Sequence, residues 1–284
     1  MTGAAGQVGR AFRAAAPAGA VVVALSHSDL DITDKDEVRR AVVAHDPQWI
    51  VNAAAYTAVD AAESASEAAH VLNAIAVGYL ADAAAGSHAR LVHLSTDFVF
   101  DGRTSIPYEP DAIPNPIGAY GASKLAGERQ ALTDGAESIV VRTSWVYAAY
   151  GQNFVRTMLR LMAAKPEVRV VCDQIGSPTW AGGLAQVLWQ LITIDAAAGI
   201  YHWCDAGIAS WYDFAVAIQE EALPRGMLEH EVPVLPIRSA QYPSAAQRPP
   251  YSVLDAAHTR ALTGAPAVHW RTQLRRMLDE LAAT

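Results

Sequence analysis

Tyr120 and Lys124 stand four residues apart in Tyr120-Gly121-Ala122-Ser123-Lys124, at the start of a stretch with helical spacing. That separation puts both side chains on one helix face. A phenol with an ordinary pKa of about 10 is a poor proton donor to a forming alkoxide. An ammonium held within a few ångströms favours its phenolate form and brings acid/base chemistry toward neutral pH. Upstream, the apolar run Leu91-Val92-His93-Leu94 delivers Ser95-Thr96-Asp97, which sets a hydroxyl and a carboxylate at a strand's end. The Tyr/Lys spacing alone fits equally well an aromatic and a snorkelling cation on a surface helix, so its surroundings decide.

The chain begins Met1-Thr2-Gly3-Ala4-Ala5-Gly6-Gln7-Val8-Gly9-Arg10. GxxGxxG spacing that runs into a helical stretch lets backbone N–H groups approach a pyrophosphate at a helix N-terminus, although glycine turns without a ligand share the pattern. A dinucleotide-binding fold feeds this turn from a strand in the middle of a parallel sheet, and here only Met1 and Thr2 precede Gly3. The sequence is therefore expected to be truncated, or to have its start set too far downstream. Loss of a central strand is expected to expose its neighbours' ladders and open the core.

Residues 20–25 read as a buried strand ending in Ser26-His27-Ser28, followed by Leu30-Asp31-Ile32-Thr33. A carboxylate at the strand's tip would bond adenosine ribose hydroxyls and repel a 2′-phosphate. None sits there, so NADPH is permitted, with the serine hydroxyls and Arg10 as phosphate contacts and NADH as a second acceptable cofactor. Thr33 and Asp34 offer N-caps for a helix that runs to about residue 45, and Pro47 ends it ahead of a strand at 49–52. Ala53-Ala54-Ala55-Tyr56-Thr57 follows at the carboxyl edge where open α/β sheets bind ligands. An alanine-rich helical run at 60–85, a strand at 91–95, a Pro- and Gly-rich loop at 98–116, the Tyr120 helix and a strand at 139–143 complete an alternating pattern. The fold class this implies is a doubly wound parallel α/β sheet, Rossmann-like, with residues 1–148 as the dinucleotide-binding domain. Residues 149–284 read mainly as a smaller, interleaved substrate lobe, with some segments returning to the first domain.

Composition narrows the classes of function. At 284 residues, with 18% charged and a formal net charge of −8, the chain has no Lys/Arg-rich run of the kind that tracks a phosphate backbone. Nucleic acid is excluded as a partner on that ground. Cys172 and Cys204 are far apart and have no CxxC companion, so free thiols in a reducing cytoplasm are expected. The nine histidines show no HExxH or paired spacing, and no metal site is expected. Neither a signal peptide nor a long apolar span is apparent, so no membrane association is expected.

Gly3-x-x-Gly6-x-x-Gly9, Ser95-Thr96-Asp97 and Tyr120-x-x-x-Lys124, in this order and spacing, resemble the extended short-chain dehydrogenase/reductases. More narrowly, residues 51–60 (VNAAAYTAVD), 94–100 (LSTDFVF), 120–128 (YGASKLAGE) and 142–147 (RTSWVY) are similar to the dTDP-4-dehydrorhamnose reductase branch. Asp173-Gln174-x-Gly176-x-Pro178-Thr179 and Arg248-Pro249-x-x-Ser252 extend the match almost to the C-terminus.

The resemblance implies hydride transfer from NAD(P)H to C4 of a dTDP-linked 4-keto-6-deoxy sugar, giving dTDP-L-rhamnose. In it Tyr120 supplies the proton, Thr96 hydrogen-bonds the carbonyl oxygen, and Lys124 lowers the tyrosine pKa and holds the nicotinamide ribose. Cofactor contacts are implied at Gly6, Gln7, Val8, Asp31, Ile32, Ala55, Tyr56 and Thr57, joined by Gly3 of the glycine turn and by Tyr120 and Lys124. Substrate contacts are implied at Thr96, Asp97, Trp145 and Arg248, where a core tryptophan and a surface arginine are the bland alternatives. Phe98 stands where relatives often carry tyrosine. Ala11 stands where some carry a glutamate linked to a metal-bridged dimer, so neither that metal nor that dimer is carried over. Within the same fold, 4-epimerases and dehydratases are the rival enzymes, the latter disfavoured because Phe98 rather than glutamate follows Asp97. A non-catalytic relative, the methionine adenosyltransferase regulatory subunit, is the rival of another class.

Overall fold

The computed structural model describes residues 1–133 and 137–283. Its first elements are α1 (Gln7–Ala14), α2 (Lys35–His45), β1 (Trp49–Asn52), α3 (Val59–Ala62), α4 (Ser66–His70), α5 (Ala76–Gly86), β2 (Arg90–Thr96), α6 (Ala119–Ala131) and β3 (Ser138–Thr143). There follow β4 (Val146–Tyr147), α7 (Phe154–Ala164), β5 (Val168–Val171), β6 (Ile175–Gly176), β7 (Thr179–Trp180), α8 (Ala181–Thr193) and β8 (Gly199–His202). The last are β9 (Ala209–Ser210), α9 (Trp211–Ala222), β10 (Val234–Ile237), α10 (Ala257–Thr263) and α11 (Trp270–Ala282).

Four of the strands form a parallel sheet in the order β1-β2-β3-β8. Side chains alternate across a strand, so adjacent residues serve two cores. Ile50, Leu91 and Val140 pack with Val38 and Leu80 beneath α2 and α5. Val51, Val92, Leu94 and Val141 pack with Phe12 and Leu188 of α1 and α8. Both faces are covered, which is why β2 and β3 read as nearly unbroken apolar runs. This is the doubly wound α/β sheet expected from the alternating pattern. Local chemistry limits its helices: Asp34 caps α2 by accepting from the Asp36 and Glu37 amides at 2.9 Å each, and left-handed Asp46 (φ 42°) closes it ahead of Pro47.

Residues 20–25 depart from expectation. The run is not a buried strand: Val21 is 90% exposed, and the run's bridge to the sheet is Leu25 to Thr2. Thr2 also bridges Asn52, with its amide donating to the Val51 carbonyl at 2.9 Å, while the Leu25 amide donates to the Met1 carbonyl at 2.8 Å. Met1 and Thr2 thus occupy the lane between residues 20–25 and β1 over two residues. Beside them opens a cleft of about 630 Å³ lined by Val22, Val23, Trp49, Ile50, Leu80 and Ile192 among others. A strand is made by its ladder, and residues 20–24 are held chiefly by the Met1 amino group, which donates to the Val23 carbonyl at 2.8 Å.

The run at 60–85 is likewise not one regular helix. α3 stops at Ala62, and between α4 and α5 the turn Val71–Ile75 widens to π-helix geometry. Ser66–Gly86 as a whole is long and apolar enough to cross a membrane, contrary to the sequence reading. Its apolar residues Ala76, Val77, Leu80, Ala81 and Ala84 are spent on the core under the sheet. The second half of the chain closes α7, α9 and α11 around Met158, Met162, Phe214, Ile218, Leu274 and Leu278. α8 and β8 leave that core: α8 packs with α1, and β8 pairs with β3.

Candidate active site

The site gathers at the carboxyl ends of β1, β2 and β3, where a parallel sheet leaves a crevice for ligands. Thr96 ends β2 in register with Thr143 of β3. Its hydroxyl accepts from the Phe98 amide at 3.2 Å and donates to Asp97 Oδ1 at 3.1 Å, which turns the chain sharply after the strand. Asp97 is buried, and its pKa is pushed up to about 7 by that burial, against the pull of the Ser252 and Thr96 hydroxyls. Among the described residues no hydrogen bond of good geometry reaches its Oδ2. Ser252 arrives from the C-terminal half, its amide donating to the Ile175 carbonyl at 2.8 Å.

α6 brings Tyr120 and Lys124 to the same place. The helix lies against the turn after β2 because residue 121 is glycine: a Cβ there would fall 2.1 Å from the Phe98 carbonyl oxygen. Tyr120 is half-buried, with the Phe98 ring edge-on at 5.8 Å between centroids. Its pKa is pushed up to about 12, by burial first and then by the charge of Asp97, opposed by the Thr96 hydroxyl. The lowering expected from Lys124 does not appear. Lys124 Nζ donates instead to the Leu94 carbonyl at 2.6 Å and lies 3.4 Å from His93 Nε2. Burial lowers the lysine pKa to about 8, against the opposing effect of Glu128.

The glycine turn fits the pyrophosphate of a dinucleotide. Gly3 has φ 66°, and a Cβ on it would fall 2.5 Å from the Ala54 amide nitrogen, so only glycine lets this turn lie against the end of β1. α1 opens at Gln7 behind Gly6 with no capping side chain and no acidic residue in its first turn. Its first amides, at Gln7 and Val8, therefore face outward unpaired by side chains and suit an anion. Gln7 also accepts from Asn153 at 2.9 Å. Tyr56 is clamped through its backbone by Asn73, which accepts from the Tyr56 amide at 2.8 Å and donates to its carbonyl at 3.1 Å. Ala55 is half-buried and Thr57 exposed beside it. Asn73, within the alanine-rich run at 60–85, also donates to Ser123 on α6 and so ties this loop to the tyrosine helix.

In the loop after residues 20–25, Ile32 is buried in the core, and Asp31 is turned onto Thr33. An acidic residue does reach this loop. Asp29 lies twenty residues beyond Gly9, the interval at which such folds place a ribose-binding carboxylate. It accepts from the Ser26 amide at 2.8 Å and from the Ser26 hydroxyl at 2.5 Å, while the Ser28 hydroxyl joins Ser26 at 2.8 Å. The serine hydroxyls expected to meet a 2′-phosphate are thus drawn toward a carboxylate. Asp29→Asn is expected to raise the ratio of kcat/KM with NADPH to that with NADH by roughly 3–10-fold, through removal of a charge that repels the 2′-phosphate. Steady-state kinetics with the two cofactors measures it.

Two residues from the substrate list sit in unanticipated company. Trp145 has a left-handed backbone (φ 47°) and stacks on Trp211 at 3.5 Å and 5°. Gly176 makes room for its indole, since a Cβ there would come within 2.6 Å. Trp211 carries no sequence signal beyond being aromatic at the start of a helix. Arg248 donates to Asp60 at 2.7 Å, and Asp60 also accepts from the Ala246 amide at 3.0 Å. The pair joins α3, which follows β1, to the C-terminal segment. Among the described residues no cluster of three or more His, Cys, Asp or Glu side chains is arranged to hold a metal ion.

The family model described as RmlD substrate binding domain matches residues 1–283. The chain belongs to the RmlD family. It is 42% identical over 282 residues to the dTDP-4-dehydrorhamnose reductase of Aggregatibacter actinomycetemcomitans, covering 97% of this chain and 96% of that one. It is 41% identical over 289 residues to the dTDP-4-keto-6-deoxy-D-glucose reductase of Streptomyces niveus, covering 100% and 97%. The structure of the dTDP-4-dehydrorhamnose reductase of Bacillus anthracis in complex with NADP superposes with a TM-score of 0.93 at 37% identity, covering 98% and 97%. The resemblance drawn from the motifs is borne out, and the RmlD fold is shared over essentially the whole chain.

Proposed function

We propose that this RmlD-family chain reduces the C4 keto group of dTDP-4-dehydro-6-deoxy-L-mannose with NADPH to give dTDP-L-rhamnose, as a cytoplasmic biosynthetic enzyme. The observation that carries the reading is the placement of Thr96, Asp97, Tyr120 and Lys124 together at the end of β2, beside a glycine turn fit for a pyrophosphate. NADPH, when bound, supplies the hydride.

The chain's residues do the rest. With its pKa near 12, Tyr120 stays protonated across the neutral range and gives its proton up only as alkoxide character grows on the sugar oxygen. The Thr96 hydroxyl can turn from Asp97 to that oxygen and stabilise the developing charge. Asp97 offers its carboxyl to sugar hydroxyls, Trp145 offers a flat apolar wall, and Arg248, released from Asp60, meets the diphosphate. Lys124, as an ammonium, holds the ribose hydroxyls and offsets the phenolate left on Tyr120. Gly3, Gly6, Gln7, Val8, Asp31, Ile32, Ala55, Tyr56 and Thr57 frame the cofactor, and residues 149–284 mainly frame the sugar nucleotide.

Because Lys124 is an ammonium below about pH 8 and an amine above it, kcat/KM is expected to fall as pH rises through about 8. The decline approaches tenfold per pH unit beyond that point. A pH–rate profile under subsaturating sugar nucleotide measures it, and a flat profile to about pH 10, the range of an ordinary lysine, would remove Lys124 from this role. The reading as a whole is tested by NADPH oxidation with the 4-keto sugar nucleotide.

A further inference from the structure

The donor and acceptor roles around Lys124 can be read from one fixed point. Asn52, buried at the end of β1, accepts through Oδ1 from the Ala54 amide at 3.1 Å and from the Thr2 hydroxyl at 2.7 Å. A main-chain N–H can only donate, so the carboxamide is oriented with its Nδ2 toward Nδ1 of His93, 3.1 Å away. That NH₂ can also only donate. Nδ1 of His93 is therefore the acceptor, and the ring proton sits on Nε2. Nε2 lies 3.4 Å from Lys124 Nζ, and a lysine nitrogen has a lone pair to receive an N–H only as the neutral amine. An imidazolium is disfavoured, since burial and the neighbouring lysine both hold the His93 pKa well below its ordinary value.

We propose that His93 is a positioning residue for Lys124: fixed as the Nε2–H tautomer by Asn52, it faces the lysine with a donor and stabilises the amine that remains once Lys124 has passed its proton on. The inference rests on the reading of Lys124 as part of a reductase site. The proton balance is simple. One proton passes from the ammonium by way of water to the Tyr120 phenolate, leaving an amine and a phenol, and the amine regains a proton from solvent. The other charged groups around Lys124 act in the opposite sense or on the tyrosine. Glu128, one turn along α6 and bound to Arg142 of β3 and Ser95 of β2, favours the ammonium, and Asp97 raises the Tyr120 pKa. His93 reaches this place because it shares the Leu91 face of β2, where α6 packs.

Two spectroscopic readings test the proposal without reference to turnover. In ¹⁵N-histidine-labelled protein, the ring that disappears on His93→Gln substitution should show a protonated Nε2 and an unprotonated Nδ1, unchanged across about pH 6–9. A protonated Nδ1, or a ring that titrates in that range, overturns the proposal. In ¹³C-lysine-labelled protein the chain offers only Lys35, Lys124 and Lys165, so the Lys124 titration can be followed directly. Asn52→Ser keeps an acceptor for the Ala54 amide but no longer reaches Nδ1. It frees the ring to turn an acceptor toward Lys124, and should raise that titration by about one pH unit, a tenfold higher proton affinity. An unmoved titration in the folded variant also overturns the role, while the wild-type tautomer decides the matter if the variant does not fold. Absence of turnover with these readings intact would instead strike at the proposed function alone.

Discussion

Tyr120→Phe lowers kcat for 4-keto sugar reduction by about 10²–10⁴-fold, the usual worth of a positioned general acid, and leaves the folded protein able to bind NADPH. The substitution removes one oxygen and keeps the ring. The ring's packing is what the structure shows holding it, edge-on to Phe98 at 5.8 Å, and that contact survives. What is lost is a proton kept in place by a pKa near 12, so the alkoxide must take its proton from water. Rapid mixing with NADPH and the 4-keto sugar nucleotide should show the loss in kcat, with cofactor affinity unchanged by fluorescence titration. A variant that keeps more than about a tenth of wild-type kcat would assign the proton to another group, with Asp97 next in line, since its pKa near 7 leaves it half protonated at neutral pH.

Thr96→Val lowers kcat by about 10²–10³-fold, the cost of one hydrogen-bond donor at a developing oxyanion, whereas Thr96→Ser retains most activity. Valine matches threonine in shape and β-branching, so β2 keeps its register with Thr143. The hydroxyl also accepts from the Phe98 amide at 3.2 Å and donates to Asp97, so its loss frees the turn after the strand at about 1 kcal/mol. Serine separates the two roles because it restores the hydroxyl without the methyl. If Thr96→Ser were as slow as Thr96→Val, the threonine would act through packing of the strand end and not through its oxygen.

How far the site was legible depended on whether a residue's partner lay nearby in sequence. Tyr120 and Lys124 share a helix face by spacing alone, Asp34 caps its own helix, and β2 and β3 announce themselves because a strand covered on both faces carries apolar residues on both. Residues 20–25 misled for the same reason turned round: the letters are those of a buried strand, but pairing is a property of neighbours, and Val21 stands in solvent. Ser66–Gly86 reads as no long apolar span, yet it is one by length and composition, and its apolar residues Ala76, Val77 and Leu80 pack in the core under the sheet. Asp60 with Arg248, Trp211 with Trp145 and Asn52 with His93 are pairs made across long stretches of chain, and no periodicity foretells them. The Tyr120 pKa was expected to fall because Lys124 is its neighbour on the helix. It rises because burial, joined by the charge of Asp97, outweighs the Thr96 hydroxyl, while the lysine's hydrogen bond goes to β2.

The central claim is that this arrangement reduces a nucleotide-linked 4-keto-6-deoxy sugar at the expense of NADPH. The most direct measurement mixes the folded protein with dTDP-4-dehydro-L-rhamnose and NADPH, following absorbance of the cofactor and the sugar nucleotide by chromatography. One NADPH should be oxidised for each dTDP-L-rhamnose formed, with Tyr120→Phe slower by at least about a hundredfold. No consumption of NADPH by folded wild-type protein, or consumption without a reduced sugar nucleotide, would contradict it.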